Sequence, residues 1–462
     1  MKKAYTPTDF LYCFMLVVTL MGSATVVAFL AGAQELLDWL VVYDEAVPYA
    51  GLGLGISPVA GMLLALRTWM ACRYRPCPAL PNGRLPLVTV VIPAYNEGRQ
   101  VLDTIRSVLA SDYPAAKLAV IGVDDGSCDD TWDWMLAAKR EFPHRLQLVQ
   151  QPRNMGKRHA LLAGFRLARG DVFVTIDSDS LILPDTLRQL VSPLAASPRV
   201  GAVAGNVRVL NRADGAIPKM LDVSFTMSFD FLRRGQGSYG GVLCTPGALS
   251  AYRRSAVAPF IEAWADQTFM GRPATIGEDR ALTNIVLSQG LRVAYQKDAV
   301  VLTTVPTHYR GLYKMLLRWA RSNVRETLVM LRYLPRRFRR GDSGGGWVRL
   351  SGLVSLTMLP TAETLKVAGL TGLLLAPVPG ARALFAGCLT AALIPVVVYQ
   401  FRERGLFGLI WGVAYCFFWM FTLSWISLWG LATAAHSGWL TRGPGQRPRP
   451  AVTVAKPAPD MA

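Results

Sequence analysis

The sequence predicts an α/β domain, a mostly parallel sheet with helices on both faces, inserted between transmembrane helices. Three observations carry that prediction. Between residues 85 and 305, β-branched apolar runs alternate with segments of helical period. Long uncharged stretches lie on either side, mean hydropathy is +0.29, and only 17% of residues are charged. The net charge of +18 gathers beside those stretches, at residues 67–75, 332–340 and 442–449, as on the cytoplasmic flanks of membrane proteins. No recognition motif accompanies the charge, so nucleic acid is not expected as a partner.

From the N-terminus, residues 10–30 form an uncharged run long enough to cross roughly 30 Å of hydrocarbon. A second run, 47–66, follows a short acidic link with Glu35, Asp38, Asp44 and Glu45. Lys2 and Lys3 precede the first run, and Arg67, Arg73 and Arg75 follow the second. The positive-inside rule makes residues 1–80 a transmembrane hairpin with both ends in the cytoplasm. The competing reading is a cleaved signal peptide ending near "FLAGAQ", but the run is long and a second span follows it. The seven cysteines are scattered and make no zinc-site spacing, which fits a reducing compartment for the central domain.

The central domain, 85–305, is read strand by strand. "LVTVVIPAY" (87–95) is a strand, followed by a helix over 101–109. "LAVIGVDDGS" (118–127) repeats the pattern, with a helix around 129–142. "LQLVQ", a helix from about 156 to 168, and "DVFVTIDSDS" (171–180) continue it. Near-continuous apolar strands imply burial on both faces, and such sheets bind ligands outside the carboxyl ends of their strands. Those ends carry Tyr95-Asn96-Glu97, Asp124-Asp125 and Asp177-Ser178-Asp179. Asp177 and Asp179 project the same way from an extended chain, which suits a hard cation such as Mg²⁺ or Mn²⁺. Taken alone, a D-x-D is also a common solvated turn. "NMGKRHAL" (154–161) adds Lys157 and Arg158 near a helix start, suited to phosphate charge or, more blandly, to solvent.

Beyond the domain, residues 306–345 read as amphipathic interface helices. In "YKMLLRWARSNVRETL" (313–328), Lys314, Arg318, Arg321 and Arg325 share one helical stripe. Leu317, Ala320, Val324, Leu328 and Leu331 form an apolar stripe about 100° around the axis. Taken alone, this is a helix lying on an anionic membrane surface. Residues 346–440 return to apolar segments at 347–376, 384–399 and 406–435, the last long for one span and short for two. Arg402 and Arg404 mark a cytoplasmic turn, and Glu363 with Lys366 interrupts the first segment, where ionisable groups need a bundle interior or an aqueous path. The Pro-rich end, 441–462, has the composition of a disordered tail.

"VVIPAYNE", "VDDGS", "NMGKRHA", "TIDSDS", "GEDRALTN" and "RWARSNVRE" occur in that order. The set resembles the membrane-integrated family 2 glycosyltransferases: hyaluronan, chitin, chitin-oligosaccharide and cellulose synthases. "QTFMGRPATIGEDRALTN" (267–284) looks closest to the hyaluronan and chitin-oligosaccharide branch, and "WLTR" (439–442) resembles a hyaluronan synthase ending. The resemblance implies a GT-A fold, a UDP-sugar donor, a divalent metal and inversion at the anomeric carbon. It implies that Tyr95, Glu97 and Asp125 hold uridine, Lys157 the phosphates, and Asp177 and Asp179 the metal. Asp279 would be the general base, with Arg318 near the diphosphate and Trp319 under the acceptor sugar. Asp279 has a structural alternative, pairing with Arg280.

The sequence also departs from the family. Met315 stands where the family's Q-x-x-R-W motif has glutamine, Thr245 and Pro246 replace cysteine and serine, and 233–237 departs from "RAAQS". The implied activity is a processive synthase in the plasma (inner) membrane, with a cytoplasmic catalytic domain. It would polymerise UDP-sugars into a growing β-linked extracellular polysaccharide, hyaluronan-like or chitin-like, and extrude it through its own helices across the lipid bilayer. Two rivals are a non-processive transferase acting on a lipid and a transporter with an inactive transferase domain.

Overall fold

A computed structural model describes Met15, residues 61–335, Asp342 and residues 344–436. Most of the expected N-terminal hairpin, "WLTR" and the Pro-rich tail lie outside the described residues; residues 61–73 are helical.

The expected strand–helix alternation is observed. β1 (Val88–Ala94), α1 (Gln100–Leu109), β2 (Leu118–Asp124), α2 (Thr131–Glu141), β3 (Leu146–Gln150), α3 (Lys157–Leu167) and β4 (Val172–Ile176) follow in turn. Every residue of β1 and β4 is buried, as continuous apolar runs require of central strands. The chain continues through β5 (Ser180–Ile182), α4 (Thr186–Ala196), β6 (Val200–Val209) and α5 (Ala216–Thr226). Helix α5 runs on through a π segment, Met227–Arg233. Then come β7 (Leu249–Arg253), a hairpin of β8 (Thr268–Phe269) and β9 (Arg272–Pro273), α6 (Glu278–Ser288) and β10 (Arg292–Thr303).

The main sheet has the order β3-β2-β1-β4-β7-β6-β10-β5. β1 pairs in parallel with β2 and β4, β2 with β3, and β6 with β10. β7 is antiparallel to both β4 and β6, and β5 is antiparallel to β10. The sheet is therefore mixed around a parallel core, and its reversed strands belong to the half without a strand–helix repeat.

Helix α7 (Tyr309–Met330) leads to α8 (Gly344–Leu375), α9 (Pro377–Gln400), α10 (Leu406–Phe418) and α11 (Ser424–Ala432). The segment 406–435 does not fold back: α10, a π segment and α11 form one helical stretch. Among the described residues, two helices are long and apolar enough to cross a membrane, Gly380–Gln400 and Leu406–Ala432. Glu363 and Lys366 of α8 pair at 2.8 Å, and Lys366 donates to the Ser424 carbonyl at 3.1 Å and to the Ser427 hydroxyl. The two ionisable groups thus join α8 to α11.

Two of the four cations on the α7 stripe, Arg321 and Arg325, face protein. α7 packs against α6, α8 and α11, so side chains on several of its faces meet protein. Arg321 is buried and donates from Nε to Thr433 Oγ1 at 3.0 Å, while Arg325 is 1% exposed and donates to the Ile276 carbonyl. A helical wheel separates polar from apolar faces but does not distinguish a protein neighbour from lipid headgroups.

Candidate active site

The carboxyl ends of β1, β2 and β4 open into a cavity of about 350 Å³. Parallel pairing puts these ends side by side, so three acidic turns far apart in sequence share one wall. Tyr95, Glu97, Asp125, Lys157, Asp177, Asp179 and Arg318 all line it. The residue sequence reasoning flagged only as a departure, Met315, lines it too, beside the apolar Val305 and Pro306.

Asp125 is buried at the end of β2, and its two carboxylate oxygens accept the Met155 and Gly156 N–H groups at 2.9 and 2.8 Å. It thereby fixes the loop that leads into α3. Burial pushes its carboxyl up to about 7, and neighbouring Asp124 adds to the rise against the two N–H bonds. Glu97 accepts from Ser178 Oγ at 2.9 Å, which ties the end of β1 to the D-x-D turn. Asp179 accepts from Ser180 and Thr303 hydroxyls at 3.2 and 3.3 Å.

Lys157, the first residue of α3, bridges two acids. Its ammonium pairs with Asp177 and lies 3.1 Å from Glu278 Oε1. Burial opposes its charge, but Asp177 and Glu278 outweigh burial and hold the proton more firmly than usual. Arg158 is corrected as a phosphate ligand. It is 1% exposed and turns inward, donating to the Trp264 carbonyl at 2.5 Å and to Gln267 Oε1 at 2.9 Å.

Glu278 and Asp279 open α6, directly after Gly277. Gly277 has φ +75°, and a Cβ there would lie 2.0 Å from Ser322 Oγ, so glycine is required on both counts. Asp279 accepts the Arg280 and Gly247 N–H groups at 2.7 and 3.2 Å and keeps part of its surface open. The guanidinium of Arg280 instead donates to the Asn323 carbonyl at 3.2 Å and to Thr327 Oγ1 at 3.3 Å, both on α7. Burial and the charge of Glu278 push Asp279 above the usual carboxylate range, whereas Lys157 and Arg318 overcome the burial of Glu278 and hold it low. Glu278, which stands in "GEDRALTN", is a further site residue that the sequence motifs do not single out.

Asp279 is linked to the cavity wall through Gly247, whose added Cβ would lie 2.8 Å from Lys157 Nζ and 3.8 Å from Asp177 Oδ2. Trp319 is 43% exposed beside Arg318, with its ring centroid 6.2 Å from that of Phe225; neither it nor Asp279 lines the cavity itself. The substituted Thr245 is buried, with Oγ1 2.7 Å from Tyr252 Oη and 2.8 Å from Thr283 Oγ1. The Cys244 thiol, one residue earlier, stands 4.0 Å from Asp279 Oδ2. Arg233 of the altered 233–237 segment donates to the Cys244 carbonyl at 3.1 Å.

The sequence pattern described as "Glycosyltransferase like family 2" matches residues 86–322. An N-acetylglucosaminyltransferase of Sinorhizobium fredii is 32% identical over 376 residues, covering 79% of this chain and 86% of the relative. One from Rhizobium meliloti is 32% identical over 398 residues, covering 84% and 90%. Among solved structures, the mannosyltransferase PcManGT from Pyrobaculum calidifontis, in complex with GDP-Man and Mn²⁺, superposes with a TM-score of 0.57 at 23% identity. That match covers 82% of this chain and 99% of the other, and at this identity it carries the fold.

Proposed function

The chain belongs to glycosyltransferase family 2, and from that premise we propose that it is an N-acetylglucosaminyltransferase building a β-linked, chitin-like chain from UDP-N-acetylglucosamine. The observation that carries the reading is convergence. Asp125, Lys157, Asp177, Asp179 and Arg318, from four separate motifs, line one cavity, and Asp279 stands behind Gly247 at its edge. N-acetylglucosaminyltransferase relatives favour the chitin-like product over the hyaluronan-like one.

In this reading Tyr95, Glu97 and Asp125 hold the uridine, and Lys157 and Arg318 face the diphosphate. The D-x-D carboxylates suit a divalent cation, because Mg²⁺ or Mn²⁺ binds through one or two carboxylates together with substrate phosphates. Asp177 and Asp179 share the cavity with the two cations expected to face those phosphates, so the donor set fits. When bound, the metal supplies charge neutralisation for the departing UDP. Asp279 takes the proton from the acceptor hydroxyl as its oxygen bonds to the anomeric carbon and the bond to the UDP oxygen breaks. Inversion follows from a single in-line displacement.

We place the protein in the plasma (inner) membrane with its catalytic domain cytoplasmic, where UDP-sugars are made. Processive extension and extrusion through its own helices extend the same proposal. The test is UDP release by the purified protein across a panel of UDP-sugars, with Mg²⁺ or Mn²⁺, followed by sizing of the product. UDP-N-acetylglucosamine alone should suffice and give oligomers. Only lipid-linked mono- or disaccharide would replace the polymer reading with a lipid acceptor, and no UDP release with any donor would favour an inactive transferase domain serving a transporter.

A further inference from the structure

Two arginines converge on the backbone that carries Asp279. Arg325 of α7 donates from Nη2 to the Ile276 carbonyl, and Arg158 of α3 reaches the same carbonyl at 3.5 Å. Arg158 also donates to the Trp264 carbonyl at 2.5 Å and to Gln267 Oε1 at 2.9 Å, and its guanidinium lies 5.2 Å from the centroid of the Trp264 ring. Trp264 in turn donates its indole N–H to the Glu278 carbonyl at 3.1 Å. Glu326, fully buried, accepts from Arg325 Nε at 3.2 Å, Gln267 Nε2 at 3.1 Å and Asn284 Nδ2 at 3.0 Å. The segment from Trp264 to Glu278, which includes the β8–β9 hairpin, is therefore gripped at entry and exit.

Packing alone does not account for this. Buried guanidinium groups lose hydration, and apolar side chains of similar volume would fill the same space more cheaply. Both groups instead spend hydrogen bonds on the turn three residues before Asp279, where Gly277 already presses against Ser322. We propose that Arg158 and Arg325 are positioning residues that set Asp279 relative to the donor cavity, one from the helix of Lys157 and one from the helix of Arg318. The inference rests on Asp279 being the general base.

The test uses the full-length protein, with kcat and KM for UDP release from UDP-N-acetylglucosamine in Mn²⁺ and, separately, UDP affinity. Arg158→Met and Arg325→Met should each lower kcat about 10- to 100-fold, the scale of a misplaced reacting group, while KM and UDP affinity stay within about twofold. Arg325→Lys should recover much of the loss, since one nitrogen reaches Ile276; Arg158→Lys should not, since three acceptors need the guanidinium fork. Near-normal kcat in both methionine variants overturns the proposal, and so does a loss of UDP affinity that parallels the loss of kcat. If the methionine variants fail to fold, the lysine pair decides, and equal behaviour of the two overturns it. Asp279→Asn is the separate control. If it turns over normally, the base assignment fails, whereas an inactive Asp279→Asn beside silent arginine variants sinks only the positioning role.

Discussion

Asp279 is where residue-scale chemistry is most exposed to test. Burial and neighbouring Glu278 raise its carboxyl to about 6, which suits the general-base role proposed for it, since such a base must be ionised yet still accept a proton. Turnover should therefore fall as pH drops through about 6, because the protonated acid cannot take the acceptor's proton. The same shift makes the folded state bind this proton more tightly than the unfolded chain, so Asp279 withdraws stability as pH rises from the ordinary aspartate range to about 6. Asp279→Asn should cost about 10²- to 10⁴-fold in kcat and abolish the acidic limb. A pH–rate profile of UDP release, with donor saturating, checks both. The candidate cavity residues were legible because D-x-D and its companions follow buried strands. Arg158 was misread because adjacency to Lys157 in sequence says nothing of direction: one turn of helix points Lys157 into the cavity and Arg158 into the core.

At the scale of elements, β1, β2 and β4 could be read because strands covered on both faces are near-continuously apolar, and these three are buried at every position but Ala119. The position of β7 between β4 and β6 could not, since a local apolar pattern gives no strand direction. Nor does the helical pattern of α7 give the neighbours of its cations: Arg321 meets Thr433, Arg325 meets Ile276, and Arg318 lines the cavity. Its tight seam with α6 makes a sharp prediction. Gly277→Ala puts a Cβ into a left-handed turn and into Ser322. The backbone strain alone is about 1–2 kcal/mol. Thermal unfolding should show a loss at least that large, with turnover falling further than stability because Asp279 is two residues away. A variant with unchanged melting and unchanged kcat would mean the turn relaxes freely and does not constrain the proposed base.

Over the whole molecule, the α/β domain and the apolar helices meet through a buried charge. Asp222 of α5 is 0% exposed and lies between helices that are otherwise far apart in sequence. Tyr399 Oη donates to it at 2.8 Å, Arg402 pairs with it at 2.9 Å, and Arg212 reaches it at 3.6 Å while pairing with Glu403 at 2.5 Å. The turn at 401–405, expected from its arginines to be cytoplasmic, is thus docked on the catalytic domain. Removing one partner of a fully buried pair costs about 3–5 kcal/mol, but Arg402 and Arg212 keep 20% and 39% of their side chains exposed. Asp222→Ala should therefore cost about 1–3 kcal/mol, since solvent can take back part of the freed charge. It should also loosen the turn, so that trypsin cuts after Arg402 or Arg404 sooner than in the parent protein. Because α5 carries Phe225, whose ring lies beside that of Trp319, the proposed placement of Trp319 under the acceptor sugar predicts that product length changes more than the rate of UDP release. In sealed vesicles, cleavage at this turn should occur only when the cytoplasmic face is outside. Cleavage from the opposite side would reverse the orientation and place the catalytic domain away from its donor.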